Sequence, residues 1–410
     1  MENNYSGKRW GYVVAGTIIL LFAGLIYVWS LFRNPLNAAF PDWTTSQLSL
    51  VFTVSIICFC LGGFFGGQLS KKISHRILIL MAAAFLFVGY MVSASIAGME
   101  SGAAYAVLVI FYGVVCGLGA GFAYNAILSS VVKWFPDKAA TCSGIMLFGF
   151  GAGSLVLGSV ISMLISAGSV FDTLRYIAIA VLIVLVIGAF VIKVPDANAA
   201  AAKTAVATEE NKKQYKTSEM LKSPSFWLFF IWVVLCNASG LLVINSAANI
   251  AEAFGLIAIL GMLVSVMNGG GRIFYGFMFD KFGRKVCMTL NSILLIAAGL
   301  LLVFGGISMT GGLVLIGMLV VGLAYSCSPT ASAAFVRSSF GSKYYAENFG
   351  VCNFSLIPAA IIGPMIASAL YESSGGSYNS TFMMVIVFAV LAIIINFILG
   401  AAEKKEGLNK

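Results

Sequence analysis

The chain has 410 residues, 60% of them hydrophobic and only 10% charged, with a mean hydropathy of +1.00. Soluble domains carry roughly a quarter charged residues, so a soluble globular fold is excluded, and apolar runs of about 18 residues or more recur along the whole length, as helical spans do and alternating barrel strands do not. The net charge of +9 raises nucleic acid as a partner, which the placement of the basic residues then excludes.

In chain order, Met1 to Arg9 is polar, and the apolar run after it is too long and lacks the cleavage site of a removable signal peptide. Charge-free or nearly charge-free spans follow at 11–32, 48–70, 77–97, 103–132, 141–167 and 173–192, and again at 225–250, 255–279, 286–307, 311–336, 348–371 and 380–401. The expected organisation is a first six-helix bundle (1–192), a linker (193–222), a second six-helix bundle (223–401) and a tail (402–410). The linker is rich in Ala, Lys and Glu and is expected to be a flexible or partly helical tether. Trp10, Trp43, Trp134 and Trp227 stand at span edges, where interface anchors belong.

Of the 24 Lys and Arg, 21 fall on one side if the N-terminus is cytoplasmic. They are Lys8 and Arg9; Lys71, Lys72 and Arg76; Lys133 and Lys138; six lysines within 193–222; Lys281, Arg284 and Lys285; Arg337 and Lys343; and Lys404, Lys405 and Lys410. Only Arg33 and Arg175 fall outside. The positive-inside rule then puts both termini and the linker in the cytoplasm of a multi-pass inner (plasma) membrane protein. The excess positive charge reports orientation, and no nucleic acid is expected.

The remaining cation, Arg272, stands seven residues before the end of its span, roughly 10 Å inside at 1.5 Å per residue. All 15 carboxylates fall in loops, tails or helix ends, so the sequence places no acid at its depth. A cation there costs at least about 2.5 kcal/mol. An anion arriving from solution and accepting paired hydrogen bonds explains it; the alternative is a structural arginine bonded to carbonyls or Asn side chains. None of the eight cysteines has metal-ligand spacing, and no metal or cofactor is expected. His75 is expected to be a loop residue rather than a proton carrier.

An internal repeat organises the rest. Gly67-Gln68-Leu69-Ser70-Lys71-Lys72-Ile73-Ser74-His75-Arg76 recurs 209 residues later as Gly276-Phe277-Met278-Phe279-Asp280-Lys281-Phe282-Gly283-Arg284-Lys285, which marks a parallel repeat. The second copy matches the loop signature G-x-x-x-D-[RK]-x-G-R-[RK], and on it the chain resembles the major facilitator superfamily. The first copy departs, with Lys71 for the acid and Ser74 for the glycine. The resemblance implies an all-α membrane protein with twelve transmembrane helices in two pseudo-symmetric six-helix bundles, alternating access, and a gating role for Asp280, Lys281 and Arg284.

A narrower resemblance rests on Lys133-Trp134-Phe135-Pro136-Asp137-Lys138, Ser143-Gly144, Ser218-Glu219-Met220-Leu221, Pro224-Ser225-Phe226-Trp227 and Asn268-Gly269-Gly270 with Arg272. These are similar to the oxalate:formate antiporter family over essentially all twelve spans. The resemblance implies that Arg272 binds the substrate carboxylate, with Tyr27, Tyr124, Phe150 and Tyr325 as aromatic residues around the anion. The oxalate carrier also uses a lysine in its eleventh helix. Here, anchored on Asn348-Phe349-Gly350, that position is Leu356.

Counted from the span ends, Tyr124, Phe150 and Leu356 lie at depths similar to Arg272, Tyr325 somewhat deeper and Tyr27 nearer the outside. Asn268, at i−4 from Arg272, shares its helix face and is placed to orient the guanidinium or bond the substrate, although the Asn268–Gly271 run equally suits close helix packing. Glycines at 113, 117, 119 and 121, and at 149, 153 and 158, put small residues on helix contacts; the second set partly resembles the superfamily's antiporter motif, with Ser154 and Leu157 as departures. Pro329, Pro358 and Pro364 are expected to kink spans ten and eleven.

A dianion opposite a single cation leaves one charge uncompensated in a dry cavity. The expected substrate is therefore a small monocarboxylate of the formate, lactate or pyruvate type, carried by a monomer in exchange for another anion or together with a proton. The alternatives are an oxalate:formate-type antiporter, and beyond it an anion channel or a sensor. With no Asp, Glu or His inside a span, an enzyme is not expected.

Overall fold

The structure, a computed structural model, describes residues 2–195, 213–244 and 246–408, and among these the regular elements are all helical. Residues 196–212 of the expected tether and Lys410 lie outside the described residues. Among the described residues, eleven stretches are long and apolar enough to cross a bilayer. They are α1 (Arg9–Ala39), α2 (Ser46–Leu69), α3 (His75–Ala94), α4 (Ser101–Trp134), α5 (Ala139–Ala167), α6 (Val170–Val191), α7 (Pro224–Ile244), the stretch Leu263–Ile307, and then Gly311–Phe340, Tyr345–Ser373 and Asn379–Glu406.

Leu263–Ile307 has 45 residues, about 68 Å of helix where a bilayer core of about 30 Å needs half that. Gly283 divides it, because φ 75° and ψ 177° suit glycine and no L side chain. The two arms are α8 (263–282) and α9 (284–307), and the last three stretches are α10, α11 and α12. All twelve expected spans are present.

Three boundaries differ most from expectation, one of them the start of span eight, whose helix begins at Ala258 rather than at 255. Span one runs on through Arg33 and Pro35 to Ala39, while α7 stops at Ile244 and a separate short helix, Ala247–Ala253, follows. Helix starts are written locally. Thr44 and Gln47 form a reciprocal capping box before α2, and Ser74 and Ser169 accept the first free amides of α3 and α6.

Four spans carry internal irregularities. α1 tightens to a 3-10 stretch at Gly24–Val28, α4 widens to a π stretch at Val109–Cys116, α10 turns at Ser326, and α11 has a 3-10 stretch at Asn353–Ser355. The last two follow from Pro329 and Pro358, which deny an N–H to the carbonyls four residues back, Tyr325 and Phe354. Pro364 lies inside α11 with no such break.

The described residues form two compact units. The first lies within Met1–Pro136, Ile145–Lys212 and Tyr344–Asn353; the second within Asp137–Gly144, Lys213–Lys343 and Phe354–Lys410. The first turns of α5 therefore pack with the second unit, and the first turns of α11 with the first.

In the first unit α4 is central, with nearly every residue of Gly117–Val131 buried. Gly117 and Gly121 meet the α2 backbone: a side chain at Gly121 would collide with the Phe59 carbonyl. Trp43 and Trp134 are buried rather than at a lipid boundary. Trp43 donates to Ser101, and Trp134 donates to the Lys193 carbonyl at 2.7 Å, securing the exit of α6 beside a His75 contact to the Ile192 carbonyl. In the second unit α12 packs on α7 and on the α8–α9 arms. The last linker residues dock there through Tyr215 N–H to the Phe340 carbonyl, 3.0 Å. All eight cysteines are buried.

Candidate functional site

Arg272 is 8% exposed, held by an α8 that two neighbours approach closely. At Gly144 of α5 a Cβ would collide with the Arg272 carbonyl oxygen, and at Gly271 it would collide with the Ser326 hydroxyl of α10. Thr330 donates to the same Arg272 carbonyl at 3.4 Å. Gly144 and Gly271 thus have a physical role: they let α5 and α10 approach α8 at Arg272.

Tyr325 ends the first part of α10, next to the Ser326 whose hydroxyl meets Gly271. Its ring rests on Gly240 of α7, where any side chain would overlap it. Asn268, one turn before Arg272, has a buried Oδ1 with no hydrogen-bond partner among the described residues. Gly270 faces open space, so only part of the glycine run serves packing. Leu356 begins the second part of α11 and is half-buried.

The first unit brings the other three candidates into one aromatic cluster. Tyr27 meets Phe150 edge-on at 5.5 Å, Phe150 meets Tyr124 at 4.8 Å, and Phe59 of α2 stacks on Phe150 at 5.3 Å and meets Tyr124 at 5.0 Å. Tyr124 also stacks on Phe349 of α11 at 5.7 Å. Phe59 and Phe349 were not anticipated, since nothing in the local pattern distinguishes them from core phenylalanines. A cavity of about 360 Å³ in this unit, lined by Phe40, Asp42, Met99 and Phe171 among others, shares no residue with the cluster, and its one charged residue is an acid.

The repeat loops hold the gating candidates. Asp280 accepts from the backbone amides of Ala140 at 3.0 Å and Thr141 at 2.6 Å, capping α5, where the helix dipole favours an anion. Lys281 is exposed and lies over the rings of Phe277 and Phe282 at 5.5 and 5.2 Å. Arg284 turns inward to an ion pair with Glu403 and donates to the Asn396 Oδ1 at 2.8 Å.

In the first copy, where the acid is missing, Lys71 pairs with Glu347 of α11 at 2.5 Å, and Asn125 donates to the carbonyls of Gly63 and Ala346 at 2.8 and 2.7 Å. Glu347, Glu403 and Asn125 were missed by sequence reasoning. A signal for Glu347 existed: it falls 206 residues after Thr141, nearly the repeat spacing, opposite the copy that lost its acid.

Known proteins resemble this chain in sequence and in fold. The sequence matches the Major Facilitator Superfamily over residues 11–356 and 237–410. It is 27% identical over 396 residues to the oxalate:formate antiporter of Oxalobacter formigenes, covering 94% of this chain and 90% of that protein. It is 23% identical over 349 residues to monocarboxylate transporter 10 of Mus musculus, covering 80% of this chain and 66% of that one. The solved structure of the proton:xylose symporter XylE bound to 6-bromo-6-deoxy-D-glucose superposes with a TM-score of 0.74 at 17% identity over 96% of each chain, a likeness of fold.

Proposed function

The chain belongs to the Major Facilitator Superfamily, a multi-pass membrane transporter and not an enzyme, and from that premise we propose that it exchanges small monocarboxylates by alternating access, with Arg272 receiving the carboxylate. The observation that carries this reading is the guanidinium itself, 8% exposed within an apolar span. Guanidinium and carboxylate match as a planar, two-bond pair, and the substrate then neutralises a charge that the bilayer core penalises.

Asn268, with its buried Oδ1, is the second polar group on that helix face. The Tyr27, Tyr124 and Phe150 cluster supplies rings and hydroxyls to seal a small anion from water and to hydrogen-bond it. Exchange is favoured over uptake with a proton because an empty, charged Arg272 resists closing in a dry state. In this reading both termini are cytoplasmic and the protein acts as a monomer.

A second reading, an oxalate:formate-type antiporter, is supported by the relative from Oxalobacter formigenes. Leu356 argues against it, since it leaves a dianion one cation short. Counterflow in proteoliposomes loaded with formate, lactate, pyruvate or oxalate tests both. Arg272→Gln is expected to fold and to lose exchange; exchange at the parent rate in that variant would refute the assignment. Flux without acceleration by internal anion would indicate a channel instead.

A further inference from the structure

Tyr27, which the reading above places at the site, stands within the 3-10 stretch Gly24–Val28 of α1. A 3-10 turn advances 120° per residue and an α turn 100°. Relaxing the three steps from residue 24 to 27 to α geometry would swing the Tyr27 side chain by about 60° and shift it along the axis by about 1.5 Å. Something must hold the tighter winding, because its hydrogen bonds are poorer.

The hold comes from α4. The Tyr112 hydroxyl donates to the Ile26 carbonyl at 3.2 Å, inside the 3-10 stretch and next to Tyr27. Tyr112 is fully buried, and its ring is enclosed by Trp29 at 4.7 Å, Tyr90 at 5.8 Å and Phe32 at 6.3 Å. It belongs to the π stretch Val109–Cys116, a rare winding that recurs at functional sites. On the opposite side, Gly24 abuts the Phe150 backbone so closely that a Cβ would overlap the Phe150 carbonyl, and the Phe150 ring meets Tyr27 at 87°.

We infer that Tyr112 is a positioning residue for substrate binding. Its bond to the Ile26 carbonyl holds the 3-10 turn that carries Tyr27 against the Phe150 ring. The inference rests on the proposed site, and a double-mutant cycle separates the two.

Tyr112→Phe removes one oxygen and keeps the ring. Initial exchange rates with formate, lactate and pyruvate should show KM raised about three- to tenfold, the worth of one buried hydrogen bond, with Vmax within about twofold of the parent. Tyr27→Ala should raise KM on its own. In the Tyr27→Ala background Tyr112→Phe should add almost nothing, since residues that act through one another are not additive.

Effects that multiply, or an unchanged KM in Tyr112→Phe while Tyr27→Ala raises it, would overturn the inference and leave the site standing. An unchanged KM in Tyr27→Ala removes Tyr27 from the site and the inference with it. Retained exchange in Arg272→Gln would remove the carboxylate site itself. A gel-filtration profile like the parent's keeps a folding defect from imitating any of these results.

Discussion

The Lys71 ammonium lies 2.5 Å from the Glu347 carboxylate, with its charges arranged the opposite way from the equivalent place in the second repeat. There Asp280, 209 residues after Lys71, sits on the loop and caps the amide end of α5. A lysine facing a helix amide end would be repelled by its partial positive charge. Glu347, in the first turn of α11, removes the conflict, because one carboxylate answers both the helix end and the ammonium. The two loops thus reach the same contact with an acid on opposite partners.

Charge reversal tests this pairing. Lys71→Glu and Glu347→Lys alone each place like charges together, while the double reversal restores opposite charges. Lys71 is 47% exposed on its side chain and Glu347 only 5%, so the pair contributes about 1 kcal/mol. Each single variant should lose at least that in thermal unfolding and exchange more slowly. The double variant should recover on exchange, though less fully on stability, because the ammonium introduced on α11 would meet the helix dipole unfavourably. A double variant no better than either single one would show that the two charges are not coupled.

The Arg284–Glu403 pair is a different case, since its side chains are 9% and 1% exposed. Glu403→Ala leaves a buried guanidinium against the neutral Asn396 amide and should cost about 3–5 kcal/mol. Replacing both, as Arg284→Met with Glu403→Leu, should return stability to within about 1–2 kcal/mol of the parent, as apolar substitutes for buried pairs do. Exchange by that stable double variant then measures gating separately from folding. Parent-like exchange would remove Arg284 from the gate.

What the sequence could and could not disclose follows from the range of the interactions involved. Span number and the breaks near Pro329 and Pro358 are local properties, written in hydropathy and proline. The end of α1 was misplaced because Arg33 and Pro35 look like a stop, although Pro35 is accommodated within the helix Trp29–Ala39. Phe59, Phe349 and Tyr112 acquire their roles only when α2, α11 and α4 meet their neighbours, and an apolar run does not say which of its faces turns inward. Glu347 looked like a loop acid because its importance depends on Lys71, 276 residues away.

Two glycines near Arg272 should respond oppositely to alanine. At Gly144 the new methyl would collide with the Arg272 carbonyl oxygen, which is backbone and gives way only if a helix moves. Gly144→Ala should therefore cost about 1–3 kcal/mol and slow exchange by tenfold or more, roughly what misplacing a binding group by a fraction of an ångström can cost. At Gly270 nothing lies within 4 Å, and Gly270→Ala should be neutral or stabilising by up to about 1 kcal/mol through helix propensity. Similar melting temperatures and rates for the two variants would contradict the close approach of α5 to α8.

Leu356 is the position at which the proposed charge selectivity can be rewritten. One guanidinium balances one carboxylate, and a second carboxylate brought into a site of low polarity costs several kcal/mol unless another cation meets it. Leu356 is half-buried at the start of a helical segment, so a lysine there has room to extend its ammonium at the price of its own desolvation. Leu356→Lys should lower exchange of formate, lactate and pyruvate, because the monoanion now faces two cations. It should raise exchange of oxalate relative to them by about tenfold, the equivalent of roughly 1.4 kcal/mol. Counterflow with pairs of these anions in one liposome preparation reads the ratio directly. An unchanged ratio, with Arg272→Gln still inactive, would mean that selectivity is set elsewhere than at the eleventh span.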